Sequence, residues 1–398
     1  MTPSDQPTTP PLNPLLAAVA PPPIADAQGW VRGLAPVPGR PLIDLCQAVP
    51  GHPPAAELVE HLAARLHDPA VHKYTDILGM PALREALAAD IGRVYGARPS
   101  PSHVAITAGC NQAFCAAMMA LAKAGDEVIL PLPHYFNHKM WLDALGIHAV
   151  PLPFRPEAGG VPDVDEAADR IGPRTRAIVL VTPNNPTGAV YPPEVIAAFY
   201  ALAQKHGIAL VLDETYRDFL PEDRRPHALF DDPAWPETLV HLYSFSKVFA
   251  ITGHRVGALV AGPRLMASVE KAVDCVAICA PRLGQEAALF GLTSLRDWVA
   301  GNTLLMRSRA AAFRQAVEGL QGWRLVSIGA YFAYVEHPFE GRAAYDVARS
   351  LAQEQSLLTL PGSMFGEGQD RFLRLAFANV PGEAAATVAA RLAAFAER

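Results

Sequence analysis

"LVTPNNPTGAVY", Leu180–Tyr191, opens as the end of an apolar run and breaks into a loop with two asparagines, two prolines and a glycine. The run itself, "AIVLVT" (Ala177–Thr182), shows no polar alternation, which marks a strand covered on both faces and hence a parallel sheet. Pro183, Pro186 and Gly188 stop that strand and force a tight turn. In open parallel sheets the carboxyl ends of the strands are where ligands sit. Asn184 and Asn185 therefore stand at a candidate site.

Six further runs of the same kind flank this one: "HVAIT", "EVILP", "HAVPLP", "IALVLDE", "LVHLYS" and "VGALVAG". Helix-like stretches such as "NQAFCAAMMALAKAG" and "PEVIAAFYALAQKHG" separate several of them. The alternation predicts an α/β fold whose large domain holds a mostly parallel seven-stranded sheet between helices. Upstream, "AAELVEHLAARL" and "MPALREALAADIGRVY" carry apolar residues at helical spacing, with "KYTDILG" as a loop between them. After about residue 298 the pattern becomes a long helix, a hairpin of "WRLVSIG" and "YFAYVEHP", a helix, the strand "FLRLAFAN" and a last helix. This predicts a smaller α+β domain built from both chain ends. The expected division is an N-terminal arm over 1–35, small-domain segments over 36–70 and 299–398, and a large domain over 71–298.

Eleven of the 38 prolines fall within the first 41 residues, so the arm is expected to be extended, without regular helix. Residues 1–12 read either as a disordered tail or as an arm packed on a neighbouring subunit. The 398 residues are 51% hydrophobic and 18% charged, with a net charge of −6, which describes a compact protein with no basic field for nucleic acid or anionic membrane. Five cysteines without a CxxC pair argue against a disulfide framework or a structural zinc site and fit a reducing cytoplasm. The first basic residue is Arg32, and no run approaches the ~18 apolar residues of a membrane span, so a chain neither secreted nor membrane-embedded is expected.

The unusual polar residues gather at one sheet edge. Asp213 and Tyr216 of "VLDETY" lie 28 and 31 residues beyond Asn185, and "YSFSKVFAITGHRVG" brings Ser244, Ser246, Lys247 and Arg255 to the same rim. A carboxylate, a phenol, a lysine and an arginine converging there point to chemistry rather than packing. Together with "NPTG", these segments resemble class I/II aminotransferases, fold-type I enzymes that use pyridoxal 5'-phosphate. The resemblance runs from about residue 40 to the end.

That resemblance implies a role for each match. Lys247 matches the Schiff-base lysine, whose amine must lose its proton cheaply. Asp213 matches the carboxylate that keeps the pyridine nitrogen protonated. Tyr216 and Asn185 match the hydrogen-bonding partners of the ring's 3-oxygen, while Asn184 reads as a turn residue. Ala108, Gly109 and Cys110 of "TAGCNQAF" precede a helix whose free N–H groups suit a phosphate. Ser244 and Arg255 match the family's phosphate ligands; Ser246 is either a further hydroxyl or a local cap. Tyr135 of "PLPHYFNH" fits the ring stacked on the cofactor, with Phe136 as the register alternative. His138 stands where some members back the aspartate, or is a core histidine. Tyr74 resembles a tyrosine that reaches the neighbouring subunit's phosphate, implying a homodimer with shared sites. Arg374 matches the arginine that grips the substrate α-carboxylate.

Two departures bear on substrate. Ala48 of "CQAVPG" replaces a glycine near the substrate, narrowing the pocket. Ala287 stands where aspartate-specific members carry a second arginine, which makes acidic donors less favoured; Arg282 is a candidate substitute. The implied reaction moves an α-amino group from an amino acid to a 2-oxo acid by a ping-pong cycle. The same residues also admit a pyridoxal-phosphate-dependent lyase, or a non-catalytic sensor on this fold.

Overall fold

The computed structural model describes residues 10–35 and 37–397. Among them, seven strands form the large sheet: β1 (Val104–Thr107), β2 (Glu127–Pro131), β3 (His148–Leu152), β4 (Thr175–Val181), β5 (Ala209–Asp213), β6 (Leu239–Ser244) and β7 (Gly257–Val260). Their order is β1-β7-β6-β5-β4-β2-β3. All neighbours are parallel except that β7 runs antiparallel to both β1 and β6. The strand register sets Val181 opposite Asp213 and Asp213 opposite Leu242, so the ends of β4, β5 and β6 form one rim.

Alternation along each strand builds two separate cores. Ile106, Ile178, Leu180, Leu210, Leu212 and Tyr243 pack on the helices Pro81–Tyr95, Pro193–His206 and Arg282–Ser294. Ala105, Val128, Leu130, Val179, Val211, Val240 and Leu242 pack on Cys110–Leu121 and Pro263–Ala277. Covering both faces is why the strands read as continuous apolar runs.

The long helix Arg296–Glu318 leads to the second unit, beginning two residues before the expected break at 298. There a four-stranded antiparallel sheet runs Leu360–Pro361, Phe372–Ala376, Phe332–Glu336, Arg324–Gly329. Ile43–Asp44 pairs in parallel with Leu357–Leu358, and Leu45 and Cys46 enter this core, so both chain ends do meet. The helix Ala56–Arg65, however, buries Leu58 and Leu62 in the large-sheet core, against Arg282–Ser294.

The arm departs from expectation. It contains two short helices, Pro14–Ala18 and Pro23–Gly29, each starting on a proline. Proline is tolerated at the first helical position, where the N–H has no partner in any case; Asn13 caps the first helix by accepting from Leu15 N. Ala27 and Trp30 join the small-domain core, and Trp30 Nε1 donates to Tyr345 Oη at 3.2 Å. The second arm helix thus packs on its own chain, while the first buries no residue. Of the tail expected over 1–12, residues 1–9 lie outside the described residues. Among the described residues no helix is long and apolar enough to cross a membrane, and no group of three potential metal ligands occurs.

Candidate active site

At the end of β4 the two asparagines divide the work. Asn184 builds the turn: its Oδ1 accepts from Thr187 N and Oγ1 at 3.0 and 2.9 Å, and its Nδ2 donates to Tyr191 Oη at 3.2 Å. Gly188 has φ +74°, and a Cβ there would collide with the Phe332 carbonyl, so the small-domain strand lies directly on the turn. Held this way, Asn185 faces the cleft, where its Oδ1 accepts from Arg374 Nη1 at 3.0 Å.

Asp213 ends β5, fully buried. Its Oδ1 accepts from Thr215 N at 3.0 Å, and His138 Nε2 stands 3.4 Å from Oδ2, stacked on Phe114 with centroids 3.9 Å apart. Burial alone would raise the Asp213 carboxyl, but the hydrogen bond and charge of His138, with Thr215, outweigh it and hold the group below its ordinary value. Tyr216 follows, buried against Tyr331 and Phe332, each 5.2 Å away between ring centroids.

At the end of β6, Ser244 Oγ accepts from Ser246 N at 3.3 Å and caps the short helix Phe245–Val248 that carries Lys247. Lys247 Nζ donates to Ala48 O at 2.7 Å. Burial, then the charges of Arg255 and Arg374, lower the Lys247 amine from 10.5 to about 8. Ser246 Oγ is buried without a partner among the described residues. Arg255 sits at φ +49°, donates Nη1 to Thr252 O at 2.9 Å, and lies so close over Gly109 that a side chain there would collide with it.

Not every expected phosphate donor is free. Ala108 N donates to Gln112 Oε1 at 2.5 Å and Gly109 N to Thr107 O at 2.8 Å, whereas Cys110 opens the helix Cys110–Leu121, whose first N–H groups have no intrahelical acceptor.

Arg374, in the middle of its strand, is fully buried between the rings of Phe332 and Phe365, 5.1 and 5.0 Å from their centroids. Its Nη2 donates to Cys46 O, and burial lowers it from 12.5 to about 10.

These groups surround one cleft of about 400 Å³. Ala48, Cys110, Tyr135, Asn185, Asp213, Tyr216, Ser244, Ser246, Lys247, Arg255 and Arg374 all line it. Phe136 lines it too but is a buried member of the small-domain core, whereas Tyr135 is only partly buried against that core. Burial pushes the Tyr135 hydroxyl up to about 12. Three expected residues are not on its wall: Ala108 and Gly109, whose N–H groups are engaged, and Arg282, which faces Glu286 at 3.6 Å in a cluster with Arg65 and Asp68. Tyr74, expected to reach a neighbouring subunit's phosphate, is 73% exposed. Sequence reasoning missed Ile24, Gln47, Asn111 and Asn137, which also line the cleft. Ile24 lies in the proline-rich arm, and the polar three fall inside "CQAVPG", "TAGCNQAF" and "PLPHYFNH" without a role assigned to them there.

The set fits a flat heterocycle bearing a phosphate. Arg255, the unpaired Ser246 hydroxyl and the helix start contribute positive potential, and Asp213 backed by His138 offers an anion.

A family model described as aminotransferase class I and II matches residues 40–392. The aspartate/prephenate aminotransferase of Thermus thermophilus is 32% identical over 81% of this chain and 84% of its own. The valine–pyruvate aminotransferase of Mycobacterium tuberculosis is 31% identical over 78% of this chain and 80% of its own. The solved aspartate aminotransferase of Thermus thermophilus with maleate superposes with a TM-score of 0.88 at 27% identity, covering 97% of this chain and all of the other. With its cofactor cleft assembled at the ends of β4, β5 and β6, the chain belongs to the class I and II aminotransferases, which depend on pyridoxal phosphate.

Proposed function

We propose that this aminotransferase prefers amino donors with neutral, apolar side chains. One observation carries the reading: among the described residues the cleft holds three cations, Lys247, Arg255 and Arg374, and each already has a partner role. Ile24, Val49 and Phe136 supply apolar wall, and Arg282 is engaged by Glu286 outside the cleft. A distal carboxylate would lose its hydration there without a guanidinium to replace it.

The residues divide the reaction as follows. Bound pyridoxal phosphate supplies an electron sink for the pair left at the donor's Cα. Arg255, Ser244, Ser246 and the Cys110 N–H hold the phosphate; Asp213 keeps the ring nitrogen protonated; Asn185 and Tyr216 bond the ring oxygen; Tyr135 covers the ring face. Arg374 grips the α-carboxylate as a two-pronged donor. Lys247 Nζ would hold the cofactor and, when free, take the Cα proton as general base. Its lowered basicity suits that task near neutral pH.

The working unit in this reading is a homodimer, in which exposed Tyr74 serves the neighbouring cleft. Five free thiols, two of them, Cys46 and Cys110, beside the site, support a cytoplasmic location. Borohydride reduction of the loaded protein followed by peptide mapping tests the assignment. Cofactor mass fixed on Lys247 is expected, and fixation on another lysine would overturn it. Pyruvate release from a donor without any acceptor would instead favour a lyase.

A further inference from the structure

Behind the rim, the stretch "DETYRD" (Asp213–Asp218) keeps Asp213, Thr215 and Tyr216 on the cleft and sends Glu214, Arg217 and Asp218 away from it into a buried polar layer. Glu214 is caged there by Tyr95 Oη at 2.5 Å, His241 Nε2 at 2.9 Å and His227 Nε2 at 3.1 Å. His227 Nδ1 accepts from Leu229 N at 3.2 Å, so its proton lies on Nε2 and it donates to Glu214. This anchors the chain on one side of Tyr216.

Arg217 anchors the other side, and its surroundings are unusual. The side chain is buried, its Nη2 pairs with Asp90, and its guanidinium carbon stands 3.8 Å from the centroid of the Tyr243 ring. Nε and Nη1 are buried without hydrogen-bond partners among the described residues; Nε is 4.0 Å from Asp218, too far for one. A buried guanidinium with two unmade hydrogen bonds lowers stability rather than raising it. What it does provide is a flat contact between two turns. Arg217 directly follows Tyr216, and Tyr243 directly precedes Ser244, which caps the helix bearing Lys247. Tyr243 Oη also donates to Asp218 Oδ2 at 2.8 Å.

We propose that Arg217 is a positioning residue, whose guanidinium plane on Tyr243 sets the distance between the turn presenting Tyr216 and the turn presenting Ser244 and Lys247. Lysine preserves the charge toward Asp90 but cannot stack as a plane. The proposal rests on the reading that Tyr216 and Ser244 hold the cofactor.

The test is titration of full-length apo-protein with pyridoxal phosphate, with absorbance followed against pH. For Arg217→Lys the expected result is about a tenfold weaker dissociation constant and a kcat lowered several-fold, with donor KM within about twofold because Arg374 is untouched. The pH midpoint of the bound cofactor's absorbance should also rise by about half a unit, since a displaced Tyr216 stabilises the ring oxygen anion less. Tyr243→Phe keeps the stack and should bind as wild type. A lowered Tm with unchanged affinity and midpoint would make Arg217 merely structural. A loss in Tyr243→Phe equal to that in Arg217→Lys would assign the effect to the Asp218 bond instead; either result overturns the proposal. Should Arg217→Lys not fold, Arg217→Gln carries the same comparison. Tyr216→Phe and Ser244→Ala, measured alongside, separate the two levels. If they bind normally, the underlying reading fails; if they weaken while Arg217→Lys does not, only this proposal fails.

Discussion

Lys247 Nζ, carried by the large domain, donates a 2.7 Å hydrogen bond to the carbonyl of Ala48, in the segment entering the small domain. The amine therefore sits where the two units meet, buried beside Arg255 and Arg374. Those surroundings disfavour the ammonium form and hold the amine at about 8 rather than 10.5. Because only the neutral amine is nucleophilic, the rate at which apo-protein captures pyridoxal phosphate should rise with pH and level off above about 8. Arg374→Gln should move that midpoint upward by removing one of the cations. A midpoint near that of a free lysine in the wild type would show that the amine is not desolvated.

Asp213→Asn should leave a folded protein in which Cα proton removal slows on the order of 100-fold or more, as when a buried electrostatic partner is neutralised. Single-turnover rates measure this. The donor's apparent affinity should change little, because Arg374 and Asn185 are untouched. His138→Leu should weaken the same step less, since it supports the carboxylate without reaching the ring.

Arg374→Lys replaces a fork with a point charge. Losing a buried charge-assisted pair costs about 2–5 kcal/mol by analogy with interface pairs, or roughly 30-fold to several thousand-fold in kcat/KM. The loss should be similar across amino acids and much smaller for simple amines. Equal losses for both would assign Arg374 to the scaffold.

The neighbouring asparagines should separate stability from activity. Asn184→Ala strips Thr187 and Tyr191 of buried partners, at about 1–3 kcal/mol for each group left unpaired, so Tm should fall clearly. Asn185→Ala should lower kcat/KM with a smaller change in Tm. Thermal melts and kinetics on the two variants settle the division.

The seven large strands were legible because burial on both faces leaves an unbroken apolar run, and the site was legible because its polar residues interrupt those runs at one edge. The sequence did not reveal which core an amphipathic helix joins. Ala56–Arg65 has a clear apolar stripe, yet Leu58 and Leu62 face the large sheet, and nothing in a stripe names its partner. Proline density argued for an extended arm, but prolines at first helical positions start helices instead, and one of them brings Ile24 to the cleft. The strand-to-helix turn before Cys110 read as three free N–H groups, yet Ala108 N and Gly109 N are engaged. That Gln112 would satisfy Ala108 depends on a side-chain rotamer, which spacing does not encode.

The most direct measurement is the half-reaction of the loaded protein with a panel of single amino acids, followed by the bleaching of the cofactor's visible absorbance. Neutral apolar donors such as valine, leucine and phenylalanine should react with kcat/KM at least about tenfold above aspartate and glutamate, because the acidic side chains meet no unengaged cation among the described residues of the cleft. Faster reaction with aspartate or glutamate than with every neutral donor would contradict the account.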